Sequence, residues 1–294
     1  MRLCADIGGT TIDLAWFDAD GAIVARARTA TPGDWPEFVA AFADALARHP
    51  AAALSLATAG LVDPAGGRIT SANVPAIHGR ALADDLSAAL GLPVTAINDA
   101  DAFVLAEATR GAAMGQPWVF GIILGTGVGG ALVVDRRIVT GPHGLAGEWG
   151  HGGVLRPAPG TGGAVPVFPC GCGRSGCLDT IGGARGIERL HRFLHGVDAD
   201  SHAIAAADDP ATQATADYWA QLLGGPLAML LNTLPVAVVP VGGGLSGAPG
   251  LIARLDAVVR RELLRPTAGP VVVPGTLRGD AGLIGAWAAG QAPA

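Results

Sequence analysis

Charge is scarce in this sequence: only 15% of its 294 residues are Asp, Glu, Lys or Arg, and the net charge is −6. No basic run occurs, and no helix-turn-helix pattern precedes the first apolar strand, which argues against nucleic acid as the main partner. No apolar stretch reaches the roughly 18 residues that a membrane span needs. The longest, Trp118–Leu124, is bounded by Pro117 and Gly125 and reads as a buried strand. The first ten residues, MRLCADIGGT, lack the long apolar segment of an export signal and run directly into a polar glycine turn. A cytoplasmic protein with no membrane contact is therefore expected. Cysteine is scarce too, with four in the chain, but Cys170, Cys172 and Cys177 lie within eight residues of one another. In a reducing compartment such a cluster points to metal, not to disulfides. Cys4 falls in a predicted strand and reads as inert core.

Hydrophobic residues and glycine are plentiful. Half the residues are hydrophobic, which excludes a disordered chain and suffices for one large or two ordinary domains. The 45 glycines gather in short loops, as tight turns and close backbone approach to a ligand require. Two stretches share one plan: strand, glycine turn, strand, first at Arg2–Asp6 and Ile12–Asp18, then at Val119–Leu124 and Gly130–Asp135. Each is followed by a short apolar strand, Ile23–Ala27 and Arg137–Val139. Helices are predicted over Pro36–Ala47, Ala81–Leu90 and Ala100–Arg110, with strands at Ala53–Ala57 and Val94–Ile97. In the second half the pattern predicts helices at Arg185–Leu194, Pro210–Thr233 and Leu251–Leu264, strands at Val236–Val241 and Val271–Val273, and a last helix from about Asp280. This alternation implies two related α/β domains, each with a largely parallel sheet, divided near Gly111–Pro117.

Three glycine motifs stand at strand ends. In Asp6-Ile-Gly8-Gly9-Thr10-Thr11 the glycines admit backbone N–H groups to a phosphate and Thr10 adds a hydroxyl donor. Asp6 is placed to orient a magnesium ion through water. Leu124-Gly125-Thr126-Gly127-Val-Gly-Gly130 also suits a phosphate, yet no helix follows and no Lys-Ser/Thr is present, so it is neither a dinucleotide fingerprint nor a P-loop. Val241-Gly242-Gly243-Gly244 follows an apolar strand and precedes a helix, where an anion or a flat base is accommodated.

Two further motifs carry acid–base and metal chemistry. Asn98-Asp99-Ala-Asp101 lies at the carboxyl end of a strand, where α/β folds place ligands. Asp99 can accept a hydroxyl proton, while Asp101 is assigned to capping the helix. Gly147-Glu148-Trp-Gly-His151, followed by Cys170-Gly-Cys172-x₄-Cys177, supplies one imidazole and three thiolates, a closed tetrahedral zinc set of structural type. His191, His195 and His202 show no cluster partners and read as surface residues, and Arg260-Arg261-Glu262 reads as a solvated helix face.

Together these motifs resemble the ROK family, the sugar-kinase branch of the actin-like ATPase superfamily, over essentially the whole chain. Asp6-Ile-Gly-Gly-Thr resembles its first phosphate motif, Leu124-Gly-Thr-Gly-Val-Gly-Gly its second, and Val241-Gly-Gly-Gly its adenosine motif. The resemblance implies an α/β fold of two actin-like ATPase (ribonuclease H-like) domains with a cleft between them that holds ATP and sugar. It implies a sugar-binding domain over 1–112 and a domain with the zinc loop and nucleotide site over 113–280, with a helix at about 281–294 packing back on the first. It makes Asp99 the catalytic base and Ala59, Gly60, Asn73, Asn98, Asp99, Glu148, His151 and Asp179 the sugar ligands, with His151 serving zinc and sugar through its two ring nitrogens. A homodimer follows from the same resemblance. Ser71-Ala-Asn73-Val-Pro75, the Asn98–Phe103 run and the loop between His151 and Cys170 look most like bacterial N-acetylglucosamine kinases; glucose, fructose and N-acetylmannosamine kinases share most of these residues. ROK repressors keep the zinc motif but carry a DNA-binding domain ahead of the first phosphate strand. Three departures stand out. Thr11 occupies a position where many members have Lys, Asp179 stands where the family has a Glu reaching the anomeric side of the sugar, and Gly183-Ala184 replaces Ser-Gly.

Overall fold

The computed structural model describes all residues except 64, 72, 142–143, 153–154, 156–164 and 292–294. Most of the loop between His151 and Cys170, and the end of the expected C-terminal helix, thus lie outside the described residues. The chain divides into two compact units, one formed by 1–110, 136–146 and 277–294 and the other by 111–135 and 147–276. The segment 136–146, which the sequence places in the second half, groups with the first unit.

The first unit is built on strands β1 (Arg2–Ile7), β2 (Thr11–Phe17), β3 (Ile23–Ala30), β4 (Ala53–Thr58) and β7 (Val94–Asn98) in the order β3-β2-β1-β4-β7. The β3-β2-β1 side is antiparallel and β1-β4-β7 parallel. All six residues of β4 are buried, as a strand covered on both faces requires. Helix α1 (Trp35–Arg48) starts where Asp34 accepts the Glu37 N–H and Pro36 pre-sets the first turn. It lays Phe38 and Phe42 against Leu54 and Leu56 of the sheet. A two-stranded ribbon, β5 (Leu61–Val62) and β6 (Ile69–Thr70), leads to α2 (Leu82–Leu90), and β7 runs straight into α3 (Asp99–Arg110). Sequence patterning misses this ribbon because two-residue strands carry no periodicity.

In the second unit β8 (Trp118–Leu124) and β9 (Val128–Val134) form the second glycine hairpin. A short strand, β10 (Arg137–Ile138), lies in the segment that groups with the first unit. Helices α4 (Asp179–Gly182), α5 (Ala184–His195), α6 (Ser201–Ala206) and α7 (Pro210–Leu231) follow, then β11 (Val239–Gly242), α8 (Pro249–Glu262) and β12 (Val272–Pro274). Strands β8, β11 and β12 are parallel neighbours. Asp209 and Thr212 cap α7 reciprocally, and Trp219 at its middle is fully buried, its indole N–H donating to Gly182 O at 3.0 Å.

His191 is a correction to the sequence reading: it is buried, and its Nδ1 lies 2.8 Å from Thr215 Oγ1. His195 shares that hydroxyl through Nε2 at 3.1 Å, with ring centroids 4.7 Å apart. The i, i+4 spacing places both rings on the face of α5 that meets α7. His202 is exposed, as expected.

The chain ends in α9 (Ala281–Ala289), which returns to the first unit and packs on α3 and β1. Trp287 stacks on Phe17 at 5.9 Å and receives the Arg110 guanidinium on its face at 4.3 Å. Buried Glu107 of α3 accepts the Leu277 N–H at 3.0 Å and so secures the approach to α9. Among the described residues no helix is long and apolar enough to cross a membrane.

Candidate active site

The first unit gathers one group of the predicted residues. The turn after β1 closes with Gly8 N–H on Thr11 O at 2.9 Å, while Thr31 donates its hydroxyl to Gly8 O and its N–H to Thr10 O. The backbone of Asn73 passes directly over Gly9, where an added Cβ would lie 3.1 Å from Asn73 O. Ser71 holds this segment in place: its hydroxyl donates to Ala59 O at 2.8 Å and accepts from Val74 N at 3.2 Å. Asn98 donates from Nδ2 to Gly60 O at 2.8 Å. Ala59, Gly60, Asn73 and Asn98 are thus tied together beside the turn after β1. Ser71 thereby links two turns, a connection no local pattern announces because Ala59 lies in a separate turn.

Asn98 also caps α3, its Oδ1 accepting from Ala100 N at 2.7 Å and Asp101 N at 3.4 Å. This corrects the assignment of the cap to Asp101, which lies inside the helix. Asp99 stands at the first helical position and keeps an exposed edge. Crowding nevertheless strips water from its carboxyl and raises its pKa above the usual carboxylate range. Hydrogen bonds from Ala100 N–H, from its own N–H and from the Asn98 side chain oppose that rise.

Asp6, at the end of β1, is pushed up to about 6 by burial, by Asp99 and by Asp13, its direct cross-strand partner. Asp13 in turn is paired with Arg28 at 2.5 Å. The first turn of α9 seats on the Asp6 carboxyl at Gly282, where a Cβ would fall 2.2 Å from Asp6 Oδ2. Gly282→Ala is therefore expected to displace Asp6 or α9. It should cost about 1–3 kcal/mol of stability by overpacking and lower turnover, measured by thermal melting and steady-state assay. Unchanged melting and turnover would show that the contact yields freely.

The second unit gathers the rest. Gly243 adopts φ +81°, and a Cβ there would lie 2.5 Å from the carbonyl of Leu124, so only glycine lets the third motif lie against the second where β11 meets β8. Gly242 ends β11 and Gly244 opens a short 3-10 turn, Gly244–Gly247, that separates the motif from α8. At the hairpin tip Gly125 N–H donates to Gly127 O at 3.1 Å, and Gly125 O accepts from Ala184 N at 2.7 Å, so Thr126 sits directly on the entry to α5.

Four possible metal ligands converge: the donor atoms of His151, Cys170, Cys172 and Cys177 all lie within 4.8 Å of one another. Cys172 and Cys177 sulfurs are 3.7 Å apart, too far for a disulfide. Cys170 Sγ is 3.6 Å from His151 Nδ1. A tetrahedron with zinc–sulfur bonds of about 2.3 Å has edges of about 3.8 Å, so the donor set fits zinc. Burial pushes the Cys170 thiol up to about 12, while hydrogen bonding, led by the Arg174 N–H, brings Cys172 down to about 7. Cys4, far from this set in sequence and fully buried, is raised to about 12 by desolvation, as inert core should be. The other imidazole nitrogen of His151, Nε2, lies 3.5 Å from Glu148 Oε2. Asp179 has protein partners of its own, accepting from Val128 N at 2.9 Å and lying 3.6 Å from Cys170 Sγ.

The two mixed sheets, each opened by a glycine hairpin, place this chain among the α/β proteins of actin-like ATPase fold. The crystal structure of the ROK hexokinase from Thermus thermophilus matches it with a TM-score of 0.83 at 31% identity, covering 97% of this chain and 96% of that one. The family model described as ROK family matches residues 2–292, and the chain belongs to the ROK family. It is 36% identical over 290 residues to the N-acetyl-D-glucosamine kinase of Erwinia tasmaniensis, covering 94% of each chain. It is also 35% identical over 266 residues to the N-acetylgalactosamine kinase of Shewanella sp. (strain ANA-3), covering 88% of this chain and 86% of that one.

Proposed function

We propose that this ROK protein is an ATP-dependent sugar kinase that converts N-acetyl-D-glucosamine to its 6-phosphate. The observation that carries the reading is Asp99. It stands where β7 meets α3, bonded to Asn98 and close enough to Asp6 for the two carboxyls to repel. The kinase names of its relatives support the same reaction.

In this reading Asp99 takes the proton of the sugar 6-hydroxyl as that oxygen attacks the γ-phosphate, and its raised pKa makes it a better acceptor. Asn98, Asn73 and the Ala59–Gly60 turn, with Glu148, His151 and Asp179, bind the sugar hydroxyls. Gly8–Thr11, Gly125–Gly127 and Gly242–Gly244 receive the nucleotide, and Asp6 orients magnesium through water. His151, Cys170, Cys172 and Cys177 hold a structural zinc that supplies rigidity and no reacting group. A cytoplasmic homodimer completes the reading, supported by the family resemblance.

The test is ADP release with N-acetylglucosamine, N-acetylgalactosamine, N-acetylmannosamine, glucose and fructose. The highest kcat/KM is expected for N-acetylglucosamine. Preference for the galacto epimer would move the assignment to that sugar, and no ADP release with any of the five would overturn the kinase reading.

A further inference from the structure

The second unit contains a cavity of about 340 Å³ lined by Thr126, Gly127, Cys170, Asp179, Arg185 and Arg189, among others. Its charged groups are unequally engaged. Asp179 accepts from Val128 N–H. Arg189 donates to Thr180 O at 3.1 Å and lies over the Phe168 ring at 5.2 Å. Arg185 is exposed, and among the described residues no hydrogen bond or ion pair engages its guanidinium.

The place of Arg185 is unfavourable for a cation. It stands in the first turn of α5, where the helix dipole is positive, and that turn contains no acidic residue to offset it. Two guanidiniums, Arg185 and Arg189, line the cavity against the one carboxylate of Asp179, and with the helix N-terminus beside it the balance favours an anion. The other guanidinium of the lining, Arg189, is already engaged by Thr180 and Phe168. The chain contains no lysine, so all 19 of its basic residues are arginines, and the first phosphate motif has Thr11 where many family members have lysine. A nucleoside triphosphate still carries net negative charge after one divalent ion binds, and a guanidinium fork matches phosphate oxygens two at a time.

We propose that Arg185 binds the β- and γ-phosphates of the nucleotide from this cavity, beside Thr126 and Gly127. The inference rests on reading 125–127 as a phosphate loop, and it names the cation that loop works with.

The experiment compares the wild-type protein with Arg185→Ala and Arg185→Lys by calorimetry, with Mg2+ present, using ADP, AMP, inorganic tripolyphosphate and N-acetylglucosamine. The Ala variant should bind ADP and tripolyphosphate about 10- to 100-fold more weakly. AMP and sugar binding should stay within about twofold of wild type, a shift below 0.5 kcal/mol by the same conversion. The Lys variant should recover part of the loss, since it keeps the charge without the fork. An unchanged melting temperature would confirm that folding is intact, as expected for an exposed side chain without partners. Unchanged ADP and tripolyphosphate affinity in Arg185→Ala would overturn the proposal, as would a loss confined to sugar. Failure of the wild-type protein to bind ADP at all would overturn the kinase reading itself, an outcome distinct from the other two.

Discussion

Asp99→Asn is expected to give a folded protein that still binds sugar and turns over about 10²–10⁴-fold more slowly, the usual worth of general-base catalysis. Folding should survive because Asn98 caps α3 and the substitution leaves that cap intact. An Asn side chain can also keep the bond that Asp99 Oδ1 accepts from Ala100 N–H. What disappears is a group able to take a proton. The raised pKa of Asp99 adds a second expectation. Below that pKa the carboxyl is protonated and cannot act as base, so the acid limb of kcat/KM should lie higher than an unperturbed Asp would place it. Steady-state kinetics with calorimetric sugar binding checks both. A variant retaining more than about a tenth of wild-type turnover would remove Asp99 from the role of base.

Cys172→Ser is expected to lose zinc and sugar affinity together. Cys172 is the exposed ligand, and its thiol is already brought down to about 7, so it is readily ionised for metal. The segment it anchors is a small turn in which Cys170 N–H bonds Arg174 O and Gly176 N–H bonds Phe168 O, while Phe168 packs on the core beyond it. Through His151 the same ligand set orients Glu148, and through Cys177 it leads into Asp179. Releasing one ligand should therefore loosen three proposed sugar contacts, because metal binding and local folding are coupled. Elemental analysis should fall from about one zinc per chain to well below that, and the sugar KM should rise by at least about tenfold. Cys4→Ala, in the core of the first unit, should leave the zinc content unchanged. Wild-type protein that contains no zinc and whose thiols all react freely would refute the assignment.

Much of the fold was legible because its signals are local. The predicted helix Pro36–Ala47 is observed as Trp35–Arg48, framed by Asp34 and Pro36, and Pro210–Thr233 as Pro210–Leu231, framed by the Asp209 cap. The repeated strand, glycine turn, strand plan suggested two related α/β domains, and the resemblance of the glycine motifs to the ROK family implied the actin-like fold that the comparison with the Thermus thermophilus hexokinase shows. Ligand spacing within eight residues was enough to single out three thiols for one metal site, and the structure brings their sulfurs and His151 together.

Tertiary structure decided whatever depends on partners remote in sequence. The sequence reading assigns the cap to Asp101, and the path of β7 into α3 gives it to Asn98. His191 reads as one more surface histidine until α7 brings Thr215 against it. The contact of Gly282 with Asp6 joins opposite ends of the chain, and no periodicity spans that distance. Turn chemistry, capping and hydrophobic period act over a few residues, so the sequence by itself determined the longer elements, their order, the glycine loops and the thiol cluster. Close packing acts between segments brought together only by folding. It alone decided which carboxyls meet, which backbone groups they satisfy, and which arginine lines a cavity without a partner among the described residues.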